Sequence, residues 1–404
     1  MASCVYRLKE TPAGVPYGFF DLGLRAPSHN MQSTSPGINT GPASFIHRIW
    51  RGLMTVETLD HHTQGRDNNY NLIRLFAATV VIFGHSYRLS PIQGMRDPFG
   101  RFFPGTWSGA AAVEAFFFIS GLLVCASVIR SRSLLRYFKA RTLRLMPGFL
   151  VCLLLSVFVL GPWLTSLPVG EYFVSPGTWK YLFGNTSLVK PEFYLPGVFT
   201  DHPKTGVNGS LWTLPAEARM YLLLGVAGLL GLMKRNWSAN LLLAVLVILG
   251  VFWPDYLPLV SDNPRYFRLA AFFAVGAFFF INRRYIPLNW LALFILLAVT
   301  IIGHRSDYRL TLLGMSICYG VACVAYLPNW GWPKWMGDYS YGIYIYGWPC
   351  QQLAWLAVPH TQPMQNALIA LCFCLPMAIL SWHFVEKPAL DLKNKSLLPA
   401  WFKR

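Results

Sequence analysis

The stretch Tyr70–Ser90, YNLIRLFAATVVIFGHSYRLS, decides the fold class of this chain. An apolar run of about twenty residues is long enough to cross the hydrocarbon core of a bilayer as one helix. The run nevertheless carries Arg74 and His85. Because an ionisable side chain inside a membrane helix costs about 3 kcal/mol or more, both residues are candidates for a functional site.

The spacing of Arg74 and His85 places them on one face of the predicted helix. They are eleven residues apart, which is close to three turns at 3.6 residues per turn. At about 1.5 Å of rise per residue, they lie roughly 16 Å apart along the axis. One is therefore expected near the first membrane surface and the other towards the opposite surface.

The composition of the whole chain agrees with a membrane protein. Its 404 residues are 54% hydrophobic and only 13% charged, whereas soluble domains are about 25% charged. The net charge of +17 does not indicate nucleic-acid binding, because the basic residues fall in short segments between apolar runs. The eight cysteines lack the spacing of a disulfide framework or a metal site. The adjacent His61 and His62 are interpreted as a solvated pair, and no metal is expected.

Nine further apolar runs follow the first one. They cover 109–129, 145–167, 210–233, 238–254, 266–282, 286–303, 309–327, 339–358 and 365–385. We therefore predict an all-α integral membrane protein with about ten transmembrane helices. Residues 1–65 are expected to form a largely unstructured cytoplasmic tail, 66–390 the membrane domain, and 391–404 a short basic cytoplasmic tail.

The basic residues also predict the orientation of the chain. The segment 130–144 contains six basic residues and no acidic residue. Since cytoplasmic loops are enriched in Lys and Arg, we place this segment in the cytoplasm. An even number of spans then puts both termini in the cytoplasm as well.

Three ionisable residues in the apolar runs form a candidate catalytic group. His85, Glu114 and Glu217 are each expected near the same depth in the membrane. A carboxylate beside a histidine can fix its orientation for general-base catalysis, and Glu114 is predicted to do so for His85. The same residues could instead form a structural polar network between helices, or the proton path of a coupled transporter.

Two other segments suggest ligand contacts. Arg141 and Arg144 are three residues apart, so they share a helix face and suit phosphate groups at the cytoplasmic surface. They could also serve only to set the topology. The segment 168–209 is rich in aromatic residues, proline and glycine, which fits either a sugar-stacking surface or interfacial packing.

Six motifs, in the same order, resemble the acyltransferase-3 family of bacterial membrane proteins. Arg74 and His85 match its Arg-x10-His, and GAAAVEAFFFISG resembles its second block, with Glu114 where aspartate is commoner. The other matching segments are KARTLRLMP (139–147), NGSLWTLPAEARMY (208–221), YSYGIYIYGWP (339–349) and EKP (386–388). Many members have a histidine where this chain has Gly347, so His85 is expected to carry more of the catalysis.

The resemblance implies a membrane-bound O-acyltransferase of the bacterial inner membrane. Its expected donor is cytoplasmic acyl-CoA, most often acetyl-CoA, and its expected acceptor is a hydroxyl group of a cell-surface or lipid-linked glycan. The donor phosphates would meet Arg74, Arg141 and Arg144, while His85, Glu114 and Glu217 are the catalytic candidates. The residues expected to contact the substrate are Asn208, Trp212, Tyr221, Tyr346 and Trp348.

Overall fold

The structure is a computed structural model that describes residues 57–63, 68–131, 133–252, 264–328, 330, 333 and 336–394. Most of the predicted N-terminal tail and residues 395–404 of the predicted C-terminal tail lie outside these ranges. The tail predictions therefore remain predictions.

The part of the chain that the structure describes contains ten helices of at least 13 residues. They are α1 (Tyr70–Leu89), α2 (Ser108–Arg130), α3 (Leu134–Leu155), α4 (Thr213–Leu229), α5 (Asn236–Phe252), α6 (Pro264–Ile281), α7 (Trp290–Ile302), α8 (Arg309–Tyr326), α9 (Ser340–Ala357) and α10 (Pro363–Ser381). Shorter helices are Leu59–Thr63, Pro98–Phe102, Val169–Val174 and Pro176–Thr186. The strands β1 (Glu57–Thr58) and β2 (Pro287–Leu288) form one small antiparallel sheet.

Two of the long helices continue through one π-helical turn. Helix α3 runs through Ser156–Leu160 into Gly161–Leu164, and α10 runs through Trp382–Glu386 into Lys387–Asp391. Helix α3 begins at Leu134, so the basic segment before the third apolar run is helical from there onward and carries Arg141 and Arg144.

The predicted all-α membrane class is confirmed. Each of the ten predicted apolar runs overlaps one of the long helices. Among the described residues, five helices are long and apolar enough to cross a membrane: Tyr70–Leu89, Ser108–Arg130, Leu134–Leu164, Arg309–Tyr326 and Pro363–Asp391. The count of ten spans and the side on which the termini lie remain predictions.

Glycines bring α2 and α6 into backbone contact. A Cβ atom on Gly121 would lie 1.9 Å from the carbonyl oxygen of Phe273, and one on Gly276 would lie 2.1 Å from that of Phe118. Any larger residue would force these helices apart, which is why small residues mark close helix contacts in membranes. This contact brings the middle of α2 alongside α6.

Helix α1 is held between α2 and α9. A Cβ atom on Gly84 would lie 2.7 Å from Trp107 and Ser108, and one on Gly347 would lie 2.9 Å from Ile82. The Gln351 amide also donates a hydrogen bond of 2.8 Å to the Ile82 carbonyl. These contacts fix the environment of His85, which lies one residue beyond Gly84.

The segment 168–209 is folded against the helices. Tyr172 and Tyr181 are fully buried, and the Tyr172 hydroxyl donates to the Val157 carbonyl at 2.9 Å. Trp179 and Tyr194 are exposed. The aromatic residues therefore divide between packing and surface, and only the exposed ones can stack on a sugar.

The end of the predicted N-terminal tail is also folded. Leu59 is fully buried, and its backbone amide donates to the Ile286 carbonyl at 2.8 Å. Together with the pairing of β1 and β2, this bond fixes residues 57–63 to the connection between α6 and α7.

Candidate functional site

A cavity of about 400 Å³ lies among α1, α2, α3, α4 and α9. This volume is typical of small-molecule sites, which span about 300–1,000 Å³. One end carries four basic side chains and one acidic side chain: Arg74, Arg141, Arg144, Lys393 and Asp338. The excess positive charge suits an anionic ligand, and the structure thus brings together all three predicted phosphate-binding arginines.

Asp338 joins two of these arginines. Its Oδ2 atom accepts from Nη2 of Arg144 at 2.6 Å and from Nη1 of Arg74 at 3.5 Å, while its Oδ1 atom accepts from the Ser340 hydroxyl. Burial would raise the pKa of Asp338, but the two guanidinium groups outweigh it and lower the pKa below its ordinary value. Asp338 is therefore an ionised counter-charge that holds the arginine pair in place.

Arg141 is held differently from Arg144. Its guanidinium lies 5.7 Å from the centre of the Tyr221 ring, and its buried Nε makes no hydrogen bond within the described residues. A cation over an aromatic face is stabilised without a fixed hydrogen-bond partner. The donor groups of Arg141 can therefore bind a ligand at small cost.

Glu217 also lines the cavity, next to Tyr221. Its Oε1 atom accepts a short hydrogen bond from the Tyr221 hydroxyl and a longer one, 3.4 Å, from Ser120. Glu217 and Tyr221 are four residues apart, so they lie one above the other on α4. The cavity walls also include apolar residues such as Val113, Phe117 and Leu214.

Tyr344 and Thr213 line the cavity on the side of α9 and α4. Their hydroxyls are 2.6 Å apart, and the Tyr344 hydroxyl also donates to the Ser210 carbonyl at 3.1 Å. Trp348 stands one turn further along α9, about 6 Å away along the axis. Tyr344 and Trp348 therefore stand between the cavity and His85, which does not line it.

His85 is enclosed by two tryptophans. Its ring centre lies 4.9 Å from that of Trp107 and 4.7 Å from that of Trp348, and the side chain is 6% exposed. The Arg88 guanidinium lies over the Trp107 ring, 4.5 Å from its centre. The Nδ1 atom of His85 is buried without a hydrogen-bond partner in the described part of the chain. Since buried polar atoms are normally paired, this atom is suited to a ligand hydroxyl.

The predicted contact between His85 and Glu114 is not formed. Glu114 instead accepts a short hydrogen bond from Nε of Arg268, and it is 2% exposed. Helix α2 passes Gly84 at the level of Ser108 and Gly109, so Glu114 lies about five residues, or roughly 8 Å, further along the axis. The sequence placed both residues at one depth because it could not show where α2 begins relative to α1.

Glu217 also lies apart from His85, so the three catalytic candidates occupy three different environments. His85 is with the tryptophans, Glu114 is with Arg268, and Glu217 is in the cavity. The histidine therefore has no carboxylate partner within the described residues. Any general-base role of His85 must depend on the tryptophan enclosure rather than on an orienting acid.

The predicted substrate-contact residues are also dispersed. Asn208 is fully buried, and its amide donates to the Ile345 carbonyl at 2.8 Å, so it holds the turn before α4 against α9. Trp212 stacks on Tyr266 at 6.1 Å, and Tyr346 is buried at 3% exposure. Trp348 donates to the Gly206 carbonyl at 2.9 Å. Of the five residues, Tyr221 lines the cavity and Trp348 touches His85.

Sequence reasoning missed Asp338, Ser340 and Tyr344. Asp338 comes directly before the motif Tyr339–Pro349, and an acidic residue at the start of an apolar run was the available signal. Its role as a counter-charge appears only when α9 is placed beside Arg74 and Arg144. Gly347, which stands where many family members have histidine, packs against Ile82, and a Cβ atom there would lie 2.9 Å from Cγ1 of Ile82, so a larger residue would require Ile82 to move.

The fold defines a multi-pass helical membrane protein with a cavity that carries an excess of basic side chains at one end. A model of the acyltransferase-3 family, described as an acyltransferase domain, matches residues 67–386. The chain therefore belongs to this family and is an acyltransferase.

Two relatives support the assignment. The chain is 29% identical over 349 residues to an O-acetyl transferase of Shigella phage Sf6, covering 82% of this chain and 98% of the relative. It is 27% identical over 388 residues to nodulation protein 10 of Rhizobium leguminosarum bv. viciae, covering 83% of this chain and 96% of the relative. No solved structure gives a significant match.

Proposed function

We propose that this chain transfers an acetyl group from acetyl-CoA to a hydroxyl group of a glycan. The observation that carries the proposal is the cavity, which combines basic side chains at one end with apolar walls. Membership of an acyltransferase family favours group transfer over the alternative of proton-coupled transport. The similarity to a protein named O-acetyl transferase favours acetyl over longer acyl groups.

In this proposal, the phosphates of the donor bind Arg141, Arg144 and Arg74. A phosphate is a stronger bidentate acceptor for arginine than a single shared carboxylate oxygen, so it competes with Asp338 for Arg144. The apolar wall around Phe117 suits the pantetheine arm. The predicted orientation places this end of the cavity at the cytoplasm, where acyl-CoA is made.

The chemical step is assigned to His85. A ring nitrogen of His85 takes the proton from the acceptor hydroxyl as its oxygen attacks the thioester carbonyl carbon. The C–S bond breaks, the coenzyme A sulfur leaves and regains a proton, and the products are an acetyl ester and free coenzyme A. To reach His85, the thioester must pass Tyr344 and Trp348, so we propose that these side chains rotate when the donor binds.

The other candidates take supporting roles. Glu217 and Tyr221 are proposed to contact the donor arm, because their hydrogen-bonded pair lines the cavity. Trp348 is proposed to separate donor from acceptor, because it touches His85. The acceptor is proposed to be a glycan of the cell surface or a lipid-linked glycan that approaches from the side opposite the donor.

The test is transfer from radiolabelled acetyl-CoA by the purified protein in detergent, across a panel of glycans. We expect label in at least one glycan, and we expect His85→Ala to lower turnover by about 10²–10⁴-fold with little change in the KM for acetyl-CoA. The matched control is His304→Ala, because His304 lies at the start of the α7–α8 connection and does not line the cavity. Wild-type turnover by folded His85→Ala protein would refute the catalytic assignment.

A further inference from the structure

Glu57, His61 and His62 form a cluster outside the acyltransferase site. The Oε2 atom of Glu57 lies 3.2 Å from Nδ1 of His61 and 3.2 Å from Nε2 of His62. All three potential ligand atoms lie within 4.8 Å of one another. From the sequence, the two histidines are interpreted as a solvated pair, but the fold turns both towards one carboxylate oxygen.

One imidazole nitrogen of the cluster has no hydrogen bond among the described residues. Nε2 of His62 is buried and makes no hydrogen bond among the described residues, although the Glu57 oxygen is only 3.2 Å away. The distance between Nε2 of His62 and the Glu57 oxygen would allow a hydrogen bond, but the orientation of the two groups does not. A buried imidazole nitrogen that points into a cluster without a hydrogen bond is a reason to consider a metal ion there.

We propose that Glu57, His61 and His62 bind one Zn²⁺ ion. Two imidazole nitrogens and one carboxylate oxygen are a ligand set that zinc uses when a fourth position is left for water. Zinc–ligand bonds of about 2.0–2.1 Å in a tetrahedron place neighbouring ligand atoms about 3.3–3.4 Å apart. The two observed distances of 3.2 Å are close to this value. Only the two nitrogens must move towards each other, and the 68% exposed His61 side chain is free to do so.

The segment that carries the cluster is packed against the α6–α7 connection and α8. The Asp60 carboxylate, between the ligands in sequence, accepts from Nε of Arg283 at 2.6 Å, and the Asp60 amide donates to the Arg283 carbonyl at 3.0 Å. The His62 ring lies 5.9 Å from that of Tyr326 at the end of α8. Most of the cost of ordering the ligands is thus already met by the fold. Because all three ligands belong to residues 57–62, a bound ion would fix the conformation of the segment before α1 against these elements.

The experiment uses the full-length protein without an affinity tag, stripped of metal by a chelator and titrated with Zn²⁺ against a chromophoric chelator. We expect Glu57→Gln, His61→Asn and His62→Asn each to remove one tightly bound Zn²⁺ per chain. Loss of an outer-shell partner lowers metal affinity by about 10–100-fold, so loss of a ligand should lower it by at least that much. His304→Asn is the control for non-specific histidine binding and should behave as wild type.

Thermal unfolding provides the second measurement. Zn²⁺ should raise the unfolding temperature of the wild type in a concentration-dependent way and leave that of His61→Asn unchanged. Because His61 is exposed, this variant should unfold like the wild type when chelator is present, which shows that its fold is intact. Equal Zn²⁺ affinity in His61→Asn and the wild type would overturn the proposal. Neither measurement depends on acetyl transfer, so the result is independent of the proposed function.

Discussion

Replacing Arg144 by alanine tests whether the basic end of the cavity binds the donor. The substitution removes a charge-assisted contact to phosphate, worth about 1.5–3 kcal/mol. Since 1.4 kcal/mol is a tenfold change, the KM for acetyl-CoA should rise about 10–100-fold. Arg136→Ala is the matched control, because Arg136 is exposed on the same helix and does not line the cavity.

The same substitution also has a structural cost that must be separated from donor binding. Without Arg144, the buried Asp338 keeps Arg74, at 3.5 Å, as its charged partner and the hydrogen bond from the Ser340 hydroxyl. Breaking a buried ion pair costs about 3–5 kcal/mol, because one charge is left uncompensated. Since Arg74 remains, we expect the free energy of unfolding to fall by an amount near the lower end of this range, about 3 kcal/mol.

The double variant Arg144→Ala/Asp338→Asn separates the two effects. It removes the stranded carboxylate, so thermal stability should return most of the way to the wild-type value. The missing phosphate contact is not restored, so the KM for acetyl-CoA should stay raised. If the double variant regained wild-type donor affinity, the role of Arg144 would be structural and its assignment to the donor site would be wrong.

Two further predictions concern Glu114 and the pH dependence of Asp338. Arg268→Ala should destabilise the protein more than Glu114→Gln, because Glu114 is 2% exposed whereas Arg268 is 36% exposed and can reach water. Turnover per folded molecule should change little in either variant, measured by acetyl transfer and thermal unfolding together, and a large fall in turnover with unchanged stability would return Glu114 to the catalytic group. The lowered pKa of Asp338 means that its contribution to stability is present above its unfolded pKa of about 3.8 and is lost as the pH falls further. The gap in unfolding temperature between wild type and Asp338→Asn should therefore shrink as the pH falls below about 4, and a gap that stayed unchanged there would contradict the assignment.

The membrane class and the family could be predicted from the sequence. The hydrocarbon core demands long apolar helices with internally satisfied backbones, so a hydropathy pattern read along the chain locates each helix without knowledge of its neighbours. The motifs around Arg74, His85 and Arg144 were sufficient to indicate an acyltransferase. The gathering of Arg74, Arg141 and Arg144 could also be expected, because their positions near helix ends place them at one membrane surface.

The pairing of buried charges could not be predicted in the same way. Depth in the membrane was estimated from where each apolar run begins, but helix ends are defined by hydropathy to within only a turn or so. An error of about one and a half turns was enough to place Glu114 beside His85 instead of beside Arg268. Asp338 was missed because its importance arises from α9 lying against α1 and α3.

The sequence by itself determined that this chain crosses a membrane as apolar helices, that ionisable groups lie within them, and to which family it belongs. Each of these follows from local composition and spacing, which hydrophobic burial and backbone hydrogen bonding convert directly into helices. Only the tertiary structure decided which charges meet. The glycine contacts of α2 with α6 and of α1 with α9 fix the axial stagger of the helices. That stagger pairs Glu114 with Arg268 and leaves His85 between two tryptophans, because the axial position of packed helices is a property of the pair and is not encoded in either one alone.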